Sequence, residues 1–196
     1  MVGEGDIIRK TVNAETWQKC LDWNEKMRAA KSYSKSRQVF RDNQDSFSAL
    51  AEMYYAKWLE VSLIPATWNG LTIHAGGDDG DIKLAFDGWV DVNAKEIKKP
   101  FDRVEWEMGY EFIVDDKSLK DTVKYYMFAH WCEPIMQISL CGWLGADELN
   151  NLPSSRRVRK GEYMFPGASV IAQNDMTLFK TQDLRPLKSF YYEEIQ

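Results

Sequence analysis

The chain is poor in the residues that mark the commonest metal and redox sites. It holds two histidines, His74 and His130, and three cysteines, Cys20, Cys132 and Cys141. No two cysteines form a C-x-x-C pair, and the odd, scattered set speaks against a disulfide framework or a zinc site. Buried, idle thiols are the expectation. The histidines lie too far apart in sequence to suggest a metal pair and read as ordinary strand or turn residues. No apolar run approaches the ~20 residues of a membrane-spanning helix. The opening MVGEGDIIRK lacks the charged-then-apolar pattern of a secretory leader. A cytoplasmic setting away from membranes is expected. There is no internal repeat, no low-complexity tract and no shift of composition that marks a second domain. The net charge of −5 argues against a generic nucleic-acid coat.

Local charge is another matter, because association responds to local potential rather than to the total. Residues 26–41 carry Lys26, Arg28, Lys31, Lys35, Arg37 and Arg41, and residues 156–160 carry Arg156, Arg157, Arg159 and Lys160. Each cluster is either a solvated face or a phosphate-binding surface. A hydrophobic content of 44% with 13% aromatics decides for an ordered globular chain.

The most informative stretch is Gly76 to Lys95, GGDDGDIKLAFDGWVDVNAK. It reads as an acidic turn, a strand, an Asp-Gly hairpin and a second strand. A three-residue loop, Phe86-Asp87-Gly88 with Gly88 left-handed, sets Ala85 opposite Trp89, Lys83 opposite Asp91 and Asp81 opposite Asn93. One face is then apolar (Ile82, Leu84, Val90, Val92, Ala94), and the other carries Asp81, Lys83, Asp91, Asn93 and Lys95. A two-residue loop would split the two aspartates between faces. Carboxylates clustered on a packed sheet repel and lose hydration, and a divalent cation would make the cluster favourable.

Elsewhere the pattern predicts a long amphipathic helix over 14–38 with Asn13 as N-cap, and a second helix over 44–61. Strands are expected at 71–74, 104–114, 124–130, 135–143 and 176–181, with a short helix at 146–151. Helices first, then a mixed sheet flanked by helices, make an α/β or α+β domain over 45–196 with an N-terminal helical extension over 1–44.

Three stretches in order resemble the PD-(D/E)XK nuclease superfamily, the restriction-endonuclease-like fold, and in particular its small phage-type members. They are Ala51-Glu52-Met53-Tyr54-Tyr55-Ala56-Lys57-Trp58-Leu59; Gly80-Asp81-Ile82 with Val90-Asp91-Val92-Asn93-Ala94-Lys95; and Cys141 to Leu149 with Leu184-Arg185-Pro186-Leu187. The resemblance implies a Mg²⁺ or Mn²⁺ ion held by Asp81 and Asp91, by the backbone carbonyl of Val92, and by Glu52 directly or through water. It implies phosphodiester hydrolysis of DNA in a cytoplasm, the host's if the protein is phage-encoded. Lys31, Lys35, Arg37, Arg156, Arg157, Arg159 and Lys160 would contact phosphates, and a homodimer would address two strands. The pattern departs at Asn93, where the family places lysine. Either Asn93 substitutes while Lys95 reaches in from the next same-face position, or the motif is degraded and the protein binds nucleic acid or a protein partner without cutting.

Overall fold

The computed structural model describes residues 1–30, 44–68, 70–71, 80–86, 88–116, 119–149, 151–165 and 169–194. The architecture is mixed α/β, and a short strand at Ile8–Thr11 precedes its first two helices. Helix α1 (Ala14–Ala30) begins where the Asn13 side chain accepts the Thr16 N–H at 2.7 Å, the N-cap expected. Helix α2 (Gln44–Val61) buries Phe47, Leu50, Ala51, Tyr55 and Leu59, the three-and-four spacing of one helical face.

That face packs on a six-stranded sheet. Its strands are β1 (Ile8–Thr11), β2 (Ala66–Trp68), β3 (Ile82–Leu84), β4 (Trp89–Glu96), β6 (Val123–Cys132) and β7 (Gln137–Gly145), in the order β1-β7-β6-β4-β3-β2. Strands β4 and β6 run parallel; every other neighbouring pair is antiparallel. Strand β6 is central and covered on both sides, which is why it reads as a nearly unbroken apolar run. A smaller antiparallel sheet, β5 (Glu111–Asp115), β9 (Met176–Lys180) and β8 (Arg156–Val158) in the order β5-β9-β8, covers the face opposite α2. There Phe112, Val114 and Phe179 meet Tyr126, Phe128 and Leu144. A last helix, α4 (Leu187–Glu194), seats Phe190 against Tyr125 and Trp143.

The N-terminal stretch expected as an extension is built into this body: β1 pairs with β7, and Trp17 and Cys20 sit in the same core as α2. Residues 31–43, which hold the rest of the helix expected over 14–38, and residues 72–79, which hold most of the strand expected at 71–74, lie outside the described residues.

Two expected elements differ. Residues 104–114 do not form one strand. Val104–Met108 is a short helix, α3, with Glu105 and Glu107 in its first turn, where the helix dipole favours acids. Gly109 closes it and β5 follows. The determinant is distant in sequence: Glu107 is buried because it ion-pairs with Arg9. Residues 146–149 and 151 form hydrogen-bonded turns instead of a helix, since Glu148 turns back to accept the Gly145 N–H at 2.8 Å and to bind Arg185.

Tyr55 locks α2 to the sheet. Its hydroxyl is fully buried and donates to the Phe128 carbonyl at 2.5 Å. Tyr55→Phe is expected to lower stability by about 1 kcal/mol, the usual net worth of a buried hydrogen bond. Urea unfolding checks this, with a lower midpoint at unchanged slope.

Candidate functional site

The expected hairpin is present, with its register moved. Ile82 faces Val90 and Lys83 faces Trp89, and the Leu84 N–H donates to Gly88 O at 3.1 Å. The strands therefore close at Leu84 and Gly88, whereas Ala85 was expected opposite Trp89. Gly88 is left-handed as expected (φ 58°), but it is fixed by packing: a Cβ there would lie 2.3 Å from Lys124 Cγ. The slip is by two residues, so every side chain keeps its face. Ile82, Leu84, Val90 and Val92 are all buried against α2.

Asp81 stands just before β3. Gly80 brings it there, since a Cβ on Gly80 would be 2.6 Å from the Cβ of Trp89. The Asp81 N–H donates to Val90 O at 2.8 Å, and its Oδ2 accepts the Val92 N–H at 2.6 Å. The carboxylate thus replaces the missing ladder partner at the end of β3. The N–H and C=O of a strand residue project to the same edge, so the Val92 carbonyl is directed to that edge too.

Asp91 alternates with Val90 and Val92 and points to the opposite face, toward the small sheet. Lys120 lies 3.8 Å from it. The adjoining Tyr126 phenol is pushed up to about 12, first by burial and then by the charge on Asp91. Glu52 comes from the α2 side, where its Oε2 accepts the Trp68 indole N–H at 3.4 Å. The two acids therefore approach from opposite faces, with Asp81 at the strand edge between them. Burial, then the charges of Glu52 and Asp91, hold the Asp81 carboxyl well above the usual carboxylate range. The Val92 N–H and Lys120 oppose that rise without overcoming it.

This arrangement differs from a triad on one face. Among the described residues, no three His, Cys, Asp or Glu side chains converge closely enough to hold a metal ion. A site of two carboxylates fits a smaller demand, because Mg²⁺ keeps several waters and is commonly held by one or two protein carboxylates. The chemistry of Asp81 agrees with that. A carboxyl raised first by burial and then by neighbouring negative charge is one whose ionised form a cation would favour.

The remaining expected residues separate. Asn93 is half-buried on the Asp91 face. Lys95 is on that face as well, but its ammonium donates to Glu111 O at 2.5 Å and lies 4.6 Å from the Tyr110 ring, which draws it toward β5. Lys31, Lys35 and Arg37 lie outside the described residues. Arg156 turns inward, donating to Met164 O at 2.5 Å, and Arg157 pairs with Asp116. Arg159 and Lys160 stay exposed.

Lys120 is the residue that sequence reasoning missed. No motif surrounds it; only the parallel pairing of β4 with β6, which sets Trp89 against Val123, brings the segment before β6 beside Asp91. Lys120 and Tyr126 also form one wall of an open cavity of about 730 Å³, together with Lys124, Gly145, Asp147 and Arg185. Arg185 is held there by two bonds to Glu148 Oε1 (2.7 and 3.0 Å) and by the Trp143 ring at 4.9 Å.

His130 has no part in this site. It is buried, stacked 4.7 Å from Phe112, and burial followed by the charge on Lys95 lowers it to about 3. The three cysteines are free and buried, as expected. Among the described residues, no helix is long and apolar enough to cross a membrane. Comparison with known proteins finds no matching family model, no matching curated protein and no matching solved structure.

Proposed function

We propose that the protein is a metal-dependent nuclease that hydrolyses DNA phosphodiesters, an endonuclease of the restriction-endonuclease-like kind. One observation carries this reading. Asp81 is pinned on the Val92 amide at 2.6 Å, with the charges of Glu52 and Asp91 bearing on it, and Lys120 stands 3.8 Å from Asp91. Folding gains a backbone hydrogen bond and an ion pair from these acids at the cost of burying like charges together, and a cation-dependent reaction gives the whole concentration a use.

Asp81 and Asp91 would hold the ion, with the Val92 carbonyl as a third oxygen and Glu52 acting through water from the α2 side. A bound Mg²⁺ or Mn²⁺ supplies Lewis-acid polarisation of a phosphate and a water of lowered pKa. The chain does the rest. Lys120 offsets charge on the phosphate and orients the attacking water, the part a cationic side chain plays beside a developing negative charge. The neighbouring cavity takes the nucleotide next to the cut, with Lys124 and Arg185 at its walls. Lys95 keeps β4 and β5 together through Glu111 and Tyr110.

Plasmid incubation with Mg²⁺ or Mn²⁺ tests the reading: nicking is expected with either ion and none in EDTA. Lys120→Ala is expected to lower the nicking rate ~10²-fold or more. Lys95→Ala should stay within a few-fold while lowering the melting temperature. The reverse ranking would return the catalytic lysine to position 95.

A second reading has one observation in its favour. Asn93 stands where the resemblance places lysine, and Lys95 is engaged elsewhere. A protein that binds DNA and never nicks it under either ion would establish that silent form.

A further inference from the structure

The edge strand β2 adds little to the core. Ala66 and Thr67 are exposed, and only Trp68 of its residues is half-buried. Trp68 lies directly opposite Ile82, which is wholly buried against α2, so the indole falls on the same side of the sheet. The pairing of β2 with β3 continues past the strand ends, where the Ala85 N–H donates to Pro65 O at 2.9 Å. Asp81 immediately precedes Ile82. This register therefore sets the indole one residue along from the strand edge where Asp81 accepts the Val92 N–H.

The indole N–H is spent on Glu52. An indole nitrogen can only donate, and Nε1 donates to Glu52 Oε2 at 3.4 Å from a partly buried position. Ala49 and Ala56 stand three before and four after Glu52 on α2, the positions that flank it on a helix surface, and both are short. Glutamate has several rotatable bonds, and it gives up that freedom only where something holds it. After burial, the charge of Glu52 is the largest influence raising the Asp81 carboxyl. The α2-side acid thus bears on the strand edge, and the indole holds it from β2.

We propose that Trp68 is a positioning residue, which fixes the Glu52 carboxylate toward the strand edge at Asp81 and so completes the cation site from the α2 side. This rests on the reading of Asp81 and Asp91 as holders of a divalent ion, and it gives β2 a part in the chemistry. Trp68 acts through Glu52 and touches neither ion nor DNA. With the indole N–H removed, Glu52 takes other rotamers, the two aspartates remain, and the ion is held less tightly.

The test is Mn²⁺ binding to the full chain, read from the electron paramagnetic resonance of the free ion, beside nicking kinetics on plasmid. Trp68→Phe keeps an aromatic ring for packing and removes the donor. It is expected to weaken Mn²⁺ binding about fivefold, the order that one lost hydrogen bond gives, and to lower kcat with KM for DNA unchanged. Glu52→Gln keeps an acceptor for the indole and removes the charge. It should weaken binding at least as much, and Trp68→Phe on that background should add little. An equal loss from Trp68→Phe in both backgrounds would mean that the indole acts by another route, and would overturn the proposal. So would a Trp68→Phe protein that binds Mn²⁺ as the natural chain does. Should that variant melt too low to assay, the natural chain answers instead: its Trp68 indole N–H resonance is expected to shift on adding Mg²⁺, and an unmoved resonance would overturn the proposal. Failure of the parent reading looks different. A natural chain that binds no Mn²⁺ and nicks nothing removes the cation site itself, whereas Mn²⁺-dependent nicking indifferent to Trp68 removes this inference alone.

Discussion

Asp91→Asn is expected to abolish metal-dependent nicking, by a factor of at least ~10³, while leaving the protein folded. The side chain lies 3.8 Å from Lys120, and its charge bears on Tyr126, a residue of the cavity wall. Asparagine keeps its size and hydrogen-bonding capacity and removes the charge that a divalent ion and Lys120 both need. Two further readings should move with it. Lys120 loses its anionic neighbour, so Lys120→Ala on that background should cost little more, as expected of residues acting as one unit. The Tyr126 phenol should titrate lower than in the natural protein, because one of its two raising influences has gone. An Asp91→Asn protein that nicks at the natural rate would remove this residue from the site.

Asp81→Asn should do two things that rarely go together: remove nicking and raise the melting temperature. The sign follows from linkage. The folded Asp81 carboxyl titrates above its unfolded value, raised by burial, Glu52 and Asp91. Below the unfolded value, near pH 4, both states are protonated and no penalty applies. As pH rises through the interval up to the folded value, the unfolded chain ionises first, and the native state loses stability relative to it. Above the folded value the whole penalty is present. Asparagine retains an acceptor for the Val92 N–H and carries no charge, so it escapes the penalty. In EDTA at pH 7.5 its melting temperature should exceed that of the natural protein, by ~2–4 °C for each ~1 kcal/mol relieved. Millimolar Mg²⁺ should close the gap by raising only the natural protein. A variant that melts lower, or a pair that responds equally to Mg²⁺, would mean that Asp81 is a structural cap and nothing more.

What the sequence made legible depended on the range of the interactions involved. The facing of Asp91 was legible because strand alternation is local: Ile82, Leu84, Val90 and Val92 had to share the buried side, whereas Asp81, expected on the Asp91 face, sits at the strand edge with its carboxylate on the Val92 N–H. The hairpin's register was not legible. Pairing Trp89 with Lys83 or with Ala85 preserves the same faces, and Gly88 packing against Lys124 on β6 favours the first. Helix α2 was legible from its own periodicity, whereas α3 hangs on Arg9, far up the chain, taking the Glu107 carboxylate inward. Short edge strands such as β1, β2 and β8 carry too few residues for any period to register. The same limit applied to chemistry. Lys95 shares a face with Asp91 and is nonetheless drawn off by Tyr110 and Glu111, while Lys120, far along the sequence, arrives through the parallel pairing of β4 and β6.

Placing Glu52 and Asp91 on opposite faces also changes what kind of centre this would be. Two carboxylates and a carbonyl at a strand edge leave most of an ion's coordination to water and substrate, which suits Mg²⁺ and suits an ion that binds firmly only with DNA in place. Affinity for the ion should therefore rise in the presence of an uncleaved duplex.

The central claim is that Asp81 and Asp91 share one cation. Crystals soaked in Mn²⁺ and measured at the manganese absorption edge test it most directly. The account predicts a single anomalous peak between the two carboxylates, within about 2.0–2.3 Å of an oxygen of each. Anomalous density elsewhere with none between Asp81 and Asp91, in a protein that nicks DNA, would contradict it.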